Sequence, residues 1–185
     1  MGIYYKRHLV PFGEYLPFEN LLRGLINFFN LPMSDFSEGP EYQKKINLLG
    51  FDIATYLCYE IAYPAEFLTQ FPESELIVTL SNDAWFGDSF AASQQLQIAQ
   101  MRSMETARYQ LVATDNGVTA IINPEGKIMS QLPRFEFGVL EGKVFAMSGA
   151  TPLMRLGSGP LLFILFVLLG LAIAFRPELH PRDQK

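Results

Sequence analysis

The chain has 185 residues, of which 49% are hydrophobic and 18% charged, and its formal net charge is -5. That length allows one domain with its own core, and the acidic balance excludes nucleic acid as a partner, because phosphate recognition needs dense Lys and Arg patches. Cys58 is the only cysteine and His8 and His180 the only histidines, which rules out an intrachain disulfide, a multi-cysteine zinc site and a histidine metal cage. No metal and no organic cofactor is expected.

The opening MGIYYKRHLVPFGEYLPFE is too polar and too rich in Pro to be an apolar targeting core. From Pro17 to Asn30, apolar residues at Leu21, Leu22, Leu25, Ile26, Phe28 and Phe29 follow a helical distribution. This segment reads equally as a helix packed on the core or as an arm over a site that dips into lipid. The stretch LPMSDFSEGPEYQ that follows has the residues of a loop. Phe51 to Leu57 is an apolar, β-prone run ending at Cys58. IAYPAEFLTQFP predicts a short helix bounded by Pro64 and Pro72, and Glu75 to Ser81 a second buried strand. The turn-rich NDAWFGDS leads into a helical stretch from about Phe90 to Gln110. Leu111 to Thr114, Val118 to Ile122 and Gly138 to Val144 read as further strands, with Pro124-Glu125-Gly126-Lys127 as a turn between two of them. Strands alternating with helices, then a run of strands, predict α/β layering.

Pro160 to Phe175, PLLFILFVLLGLAIAF, carries no charged or strongly polar side chain. A helix apolar all round needs protein on every side or lipid, and this domain is small. Extended back to Met154, the run predicts a transmembrane helix over 154–176. Arg176, Arg182 and Lys185 lie beyond it and Arg155 before it. The positive-inside rule then puts the tail, 177–185, in the cytoplasm and the domain, 1–153, on the opposite face, which in a bacterium is the periplasmic side of the inner membrane.

A cysteine at the end of a buried strand, entering a sharp strand-to-helix turn, presents its sulfur at the edge of a sheet, as acyl-transfer nucleophiles do. A lone cysteine is more often a small buried hydrophobe. Here Tyr59-Glu60 follow directly, and Lys6 and Glu14 lie in KRHLVPFGEY, where charges alternate with aromatics and Pro. A thiol needs a basic partner to ionise and a cation to hold the oxyanion. A lysine supplies the cation and lowers the thiol pKa by its charge; the bland alternative for Lys6 is a solvated side chain near a chain end.

The strings YKRHLVPFGEYLPFE, LCYEIAYP, SNDAWFGDS and RSMETARYQLVATDNGVTAIINPEGKI, with the apolar C-terminal run after them, resemble the C-terminal half of the bacterial apolipoprotein N-acyltransferase family, a membrane branch of the nitrilase superfamily. The resemblance covers about residues 3 to 176. It implies a partial nitrilase-like αββα sandwich followed by one membrane helix, and a Glu-Lys-Cys triad in which Cys58 is the nucleophile and Lys6 the lysine. It further implies Glu14, Tyr59 and Glu60 as site-supporting residues, the Tyr59 N–H as an oxyanion donor, and Trp85 as a substrate-loop residue near the acyl route. Glu105 and Arg108, spaced i to i+3, are expected as an internal ion pair, and Asn116-Gly117 as a turn. The implied reaction moves an acyl chain from a phospholipid, phosphatidylethanolamine foremost, through a cysteine thioester to the amine of a diacylglyceryl-cysteine apolipoprotein. No residue of the chain matches the family's general-base glutamate, so the 185 residues alone are expected to be inactive. The rival readings are a membrane-tethered amidase that passes its acyl group to water, and a non-catalytic membrane-anchored interaction domain.

Overall fold

A computed structural model describes residues 2–11, 13–15 and 36–175 of the chain. The expected helix from Pro17 to Asn30 lies outside these residues. Six strands form one mixed sheet in chain order: β1 (Ile46–Leu48), β2 (Phe51–Leu57), β3 (Leu76–Asn82), β4 (Gln110–Asp115), β5 (Ala120–Ile122) and β6 (Ile128–Gln131). β2, β3 and β4 run parallel at the centre, and β1, β5 and β6 are antiparallel to their neighbours. The parallel connections carry the helices: α1 (Pro64–Phe67) between β2 and β3, and α2 (Ala91–Thr106) between β3 and β4.

The β2 sequence places Ala54 and Tyr56 on one face, opposite Ile77 and Thr79 of β3, and the same face continues through Gln110 and Val112 to Ala120 and Ile122. All eight side chains are buried. Tyr56 stacks on Phe67 of α1 at 4.3 Å between centroids and donates its hydroxyl to the Phe67 carbonyl at 2.5 Å. α2 buries Ala92, Ala99, Ser103 and Thr106. Ser103 donates to Gln110 Oε1 at 3.1 Å and Gln110 Nε2 donates to Thr79 Oγ1 at 2.8 Å, so the polar atoms between helix and sheet are paired. On the second face Leu80 is 44% exposed. The described residues thus form one sheet with helices on one face, an α/β half of the layered arrangement; the fourfold sandwich is not built from them alone.

The strand expected at Gly138 to Val144 is not one; that stretch runs without ladder pairing. Its place is taken by β6, because Asn123 closes a tight reversal: Asn123 Oδ1 accepts from the Glu125 and Lys127 amides, and Gly126 adopts φ 74°. The chain therefore turns back onto β5 at once. A two-residue reversal at Leu49 and Gly50, both at positive φ, likewise creates β1, which the apolar string NLLG does not advertise.

The helix expected over 154–176 is divided. α3 (Pro152–Leu156) is capped by Thr151, whose hydroxyl accepts from the Met154 amide at 3.2 Å and donates to the Glu105 carbonyl at 2.7 Å, which ties it to α2. Gly157, at φ 63°, ends it. α4 (Gly159–Ala174) then runs 16 residues, about 24 Å at 1.5 Å per residue. Among the described residues no helix is long and apolar enough to cross a membrane. Met154 packs on the core of the domain, and the helix expected over 154–176 is interrupted at Gly157.

Candidate active site

β2, β3 and β4 end side by side, and in open α/β sheets the carboxyl ends of parallel strands are where ligands are met. Leu57 pairs with Leu80, and Leu80 with Ala113, so Cys58 lies one residue past the β2–β3 ladder, while β3 continues along β4 to Asn82. Cys58 is half-buried and adopts φ 52°. A residue with a Cβ held there costs about 1–3 kcal/mol, and the sharp reversal it makes directs β2 into the 3-10 turn Cys58–Ala62. The expected strand-to-helix elbow is present at the expected residue.

Glu60 holds that elbow. It is 2% exposed, and its carboxylate accepts from the Leu57 amide at 2.7 Å, the Arg7 amide at 2.5 Å and the Tyr4 hydroxyl at 3.1 Å. Three donors around a buried carboxylate replace the water it has lost. The consequence is positional, because the first bond belongs to the elbow and the other two to the segment carrying Lys6. Tyr4 is pushed up to about 12 by burial first and by the Glu60 charge second, with Arg7 opposing.

Lys6 donates to both oxygens of Glu14, at 2.6 and 2.5 Å, and Glu14 also accepts from the Val10 amide at 2.8 Å. The Lys6 side chain is 13% exposed. The two residues singled out from KRHLVPFGEY thus form one half-buried unit, which Glu60 fastens beside the cysteine turn. Tyr59 is 41% exposed and meets Tyr63 edge-on; Tyr63 in turn stacks on His8, which pairs with Glu66. Tyr4, Arg7 and the His8–Glu66 pair went unmarked in the sequence, and only their interleaving with Lys6 hints at them.

Trp85 stands on the 3-10 turn Ala84–Phe86 that follows β3 and is 73% exposed. Its loop starts from Asp83, a buried carboxylate that accepts from Ser81 Oγ at 2.5 Å and whose amide donates to the Asp115 carbonyl at 3.0 Å. Asp83 Oδ2 is buried without a partner. Burial pushes the Asp83 carboxyl above its ordinary value, while the Ser81 hydrogen bond and Arg134 pull it back in part. The expected turn at Asn116-Gly117 is present, with Asn116 at φ 61°, and a Cβ at Gly117 would collide with the Asp83 carboxylate. The expected Glu105–Arg108 pair is absent. Glu105 pairs with Arg102, one turn earlier.

A family model described as carbon-nitrogen hydrolase matches residues 1–151. Proteins named apolipoprotein N-acyltransferase match throughout: that of Pseudomonas aeruginosa is 46% identical over 184 residues, with 100% of this chain and 36% of the relative covered. The Pseudomonas syringae pathovar tomato protein is 49% identical over 172 residues, covering 93% and 34%, and the Coxiella burnetii protein 45% identical over 168, covering 91% and 35%. The chain thus spans about a third of the length of these relatives. Among solved structures, a CN-hydrolase superfamily protein of Xanthomonas campestris with an arsenic adduct in its active site aligns at TM-score 0.48 and 15% identity, covering 89% of this chain and 58% of that one. A nitrilase-superfamily amidase of Nesterenkonia AN1 aligns at 0.43 and 15%, covering 52% and 39%. The chain belongs to the carbon-nitrogen hydrolase family of the nitrilase superfamily, and its curated relatives carry the name apolipoprotein N-acyltransferase.

Proposed function

We propose that this chain carries the nucleophile half of an N-acyltransferase of bacterial lipoprotein maturation. The observation behind this reading is the buried Glu60 carboxylate, which fastens the Lys6–Glu14 pair beside the left-handed elbow of Cys58. Relatives of that name at 45–49% identity supply the acyl-transfer class.

In this reading the Cys58 thiolate attacks the ester carbonyl carbon of a phospholipid. The Lys6 ammonium and the Tyr59 N–H receive the negative oxygen. The ester C–O bond breaks, and the lysophospholipid leaves as an alcohol with one proton. The free amine of a diacylglyceryl-cysteine then attacks the thioester, the C–S bond breaks, an amide forms, and the thiolate is restored with release of a proton. Glu14 holds Lys6 on target, and Trp85 lines the acyl route. A general base completes the protein; without it the 185-residue chain is slowed by about 10²–10⁴-fold. The protein works at the bacterial inner membrane, with the domain periplasmic, α4 in lipid and the C-terminus cytoplasmic.

The test is mass spectrometry of the intact enzyme after incubation with phosphatidylethanolamine and no acceptor. A hydroxylamine-labile acyl group on Cys58, lost on Cys58→Ser and discharged by a lipoprotein amine, is the expected result. Release of free fatty acid to water at the same rate with and without the amine would instead favour the hydrolase that the family description names.

A further inference from the structure

The Trp85 loop is attached at its start through Asp83, and its far end is held by a residue with no place in the chemistry above. Arg134 follows Leu132 and Pro133 in the segment that leaves β6, and that segment is anchored just before β5 by the Leu132 amide, which donates to the Thr119 carbonyl at 3.0 Å. The Arg134 guanidinium donates through Nη2 to the Gly87 carbonyl at 3.1 Å and through Nη1 to Asp88 Oδ1 at 3.0 Å. It also lies over the Phe135 ring, 4.7 Å from the centroid. Phe135 adopts φ 63°, a left-handed backbone that a bulky residue rarely takes. Gly87, at φ 52°, is the point where the Ala84–Phe86 turn ends. One planar group therefore joins the end of the Trp85 turn to a separate segment of the fold.

The two hydrogen bonds are not equal. Asp88 is 84% exposed, so that ion pair is screened by water and contributes little. The Gly87 carbonyl bond uses one arm of the guanidinium while the rest of the group lies over Phe135, and the compact ammonium of a lysine is not shaped to hold the carbonyl and cover the ring at once. On both sides of the clamp stand exposed aromatics, with Trp85 and Phe90 on the loop and Phe135 and Phe137 on the other segment.

We propose that Arg134 is a positioning residue that clamps the Trp85 loop to the segment after β6 and so fixes the aromatic wall an acyl donor passes on its way to Cys58. The second half of this statement rests on the acyl-transfer reading; the clamp itself does not.

Trp85 is the only tryptophan in the chain, so its fluorescence anisotropy decay reports the loop directly in the 185-residue protein. Arg134→Ala is expected to raise the amplitude of nanosecond motion about twofold, Arg134→Lys nearly as much, and Asp88→Ala little. Far-UV circular dichroism checks that each variant is folded, and if Arg134→Ala is not, Arg134→Lys is read in its place. Wild-type anisotropy in Arg134→Lys overturns the clamp, and so does an Asp88→Ala effect as large as that of Arg134→Ala. In the intact enzyme Arg134→Ala is expected to raise KM for phospholipid about tenfold while kcat changes less than about twofold. An unchanged KM with a loosened loop overturns the wall but leaves the clamp. An inactive wild type would instead count against the acyl-transfer reading.

Discussion

At the residue scale, two buried carboxylates near the carboxyl ends of the parallel strands, Glu60 and Asp83, behave oppositely. Glu60 is saturated: Oε1 accepts from Arg7, and Oε2 from Tyr4 and Leu57. Replacing it by Gln turns one oxygen into an NH₂ that must face a backbone N–H, so Glu60→Gln is expected to cost about 1–3 kcal/mol in urea unfolding. Tyr4→Phe, which removes a single donor, is expected to cost less. The reverse order would show that the carboxylate is not the organising group. Asp83 is undersupplied, with Oδ2 unpartnered and burial raising its pKa above the ordinary 3.8. The folded state therefore binds this proton more tightly than the unfolded chain does. Its stabilising contribution is complete below the ordinary value and is lost as pH rises through the raised one. Asp83→Asn cannot titrate, so the melting temperature of wild type relative to the variant should fall as pH climbs from about 4 towards neutrality. A difference flat across that range would show that the buried carboxyl does not titrate there.

At the scale of elements, the outcome of the Glu105 and Arg108 spacing shows how local geometry overrides a pattern. The i to i+3 rule holds only inside a helix, and α2 ends at Thr106, with Ala107 in the left-handed conformation at φ 49°. Arg108 is thereby turned off the helix face. It is 1% exposed and donates to the carbonyls of Pro72, Ser74, Thr106 and Gly149 at 2.7–3.1 Å. It ties three stretches of chain together, at 72–74, 106–108 and 149, rather than forming half of an ion pair. Arg108→Met should therefore cost about 2–4 kcal/mol by stranding buried carbonyls, and Glu105→Gln clearly less; equal losses in chemical denaturation would contradict this. β2, β3, β4 and α2 were legible because apolar runs of strand length between turn residues, and a long helical stretch, have few alternatives. Gly138 to Val144 misled because its composition suits a strand, whereas pairing was decided by the Asn123–Gly126 reversal that brings Ile128 to β5 first. Resemblance singled out Lys6 and Glu14 separately, but not their ion pair, since a separation of eight residues in an irregular segment has no periodic signature. Asp83 and Arg134 stand out only once burial and partners are known.

At the scale of the molecule, α4 buries none of its residues among the described residues. Its large apolar side chains from Leu161 to Ile173 are between 44% and 71% exposed, whereas α2 buries five of its residues in the domain. Such a surface in water is a strong drive to association, and a bilayer is the partner that covers every side of a helix at once. At about 24 Å, α4 falls short of the roughly 30 Å hydrocarbon by about one helical turn. Thinning of the bilayer at a short helix costs only fractions of a kcal/mol per Å, so the shortfall does not decide against insertion. Charge does: an Asp at the centre of a span costs about 2.5–3.5 kcal/mol, against a gain of about 0.3–0.6 for each Leu it replaces. Leu165→Asp with Leu168→Asp should thus remove about 6 kcal/mol or more from insertion, which exceeds the roughly 3–5 kcal/mol that the remaining Leu, Ile, Phe and Val residues of α4 contribute together. The wild-type chain is expected in the membrane pellet after an alkaline carbonate wash, and the double variant in the supernatant with its circular dichroism retained. Retention of both in the pellet would mean that another surface holds the domain to lipid, and release of both would take α4 out of the membrane altogether.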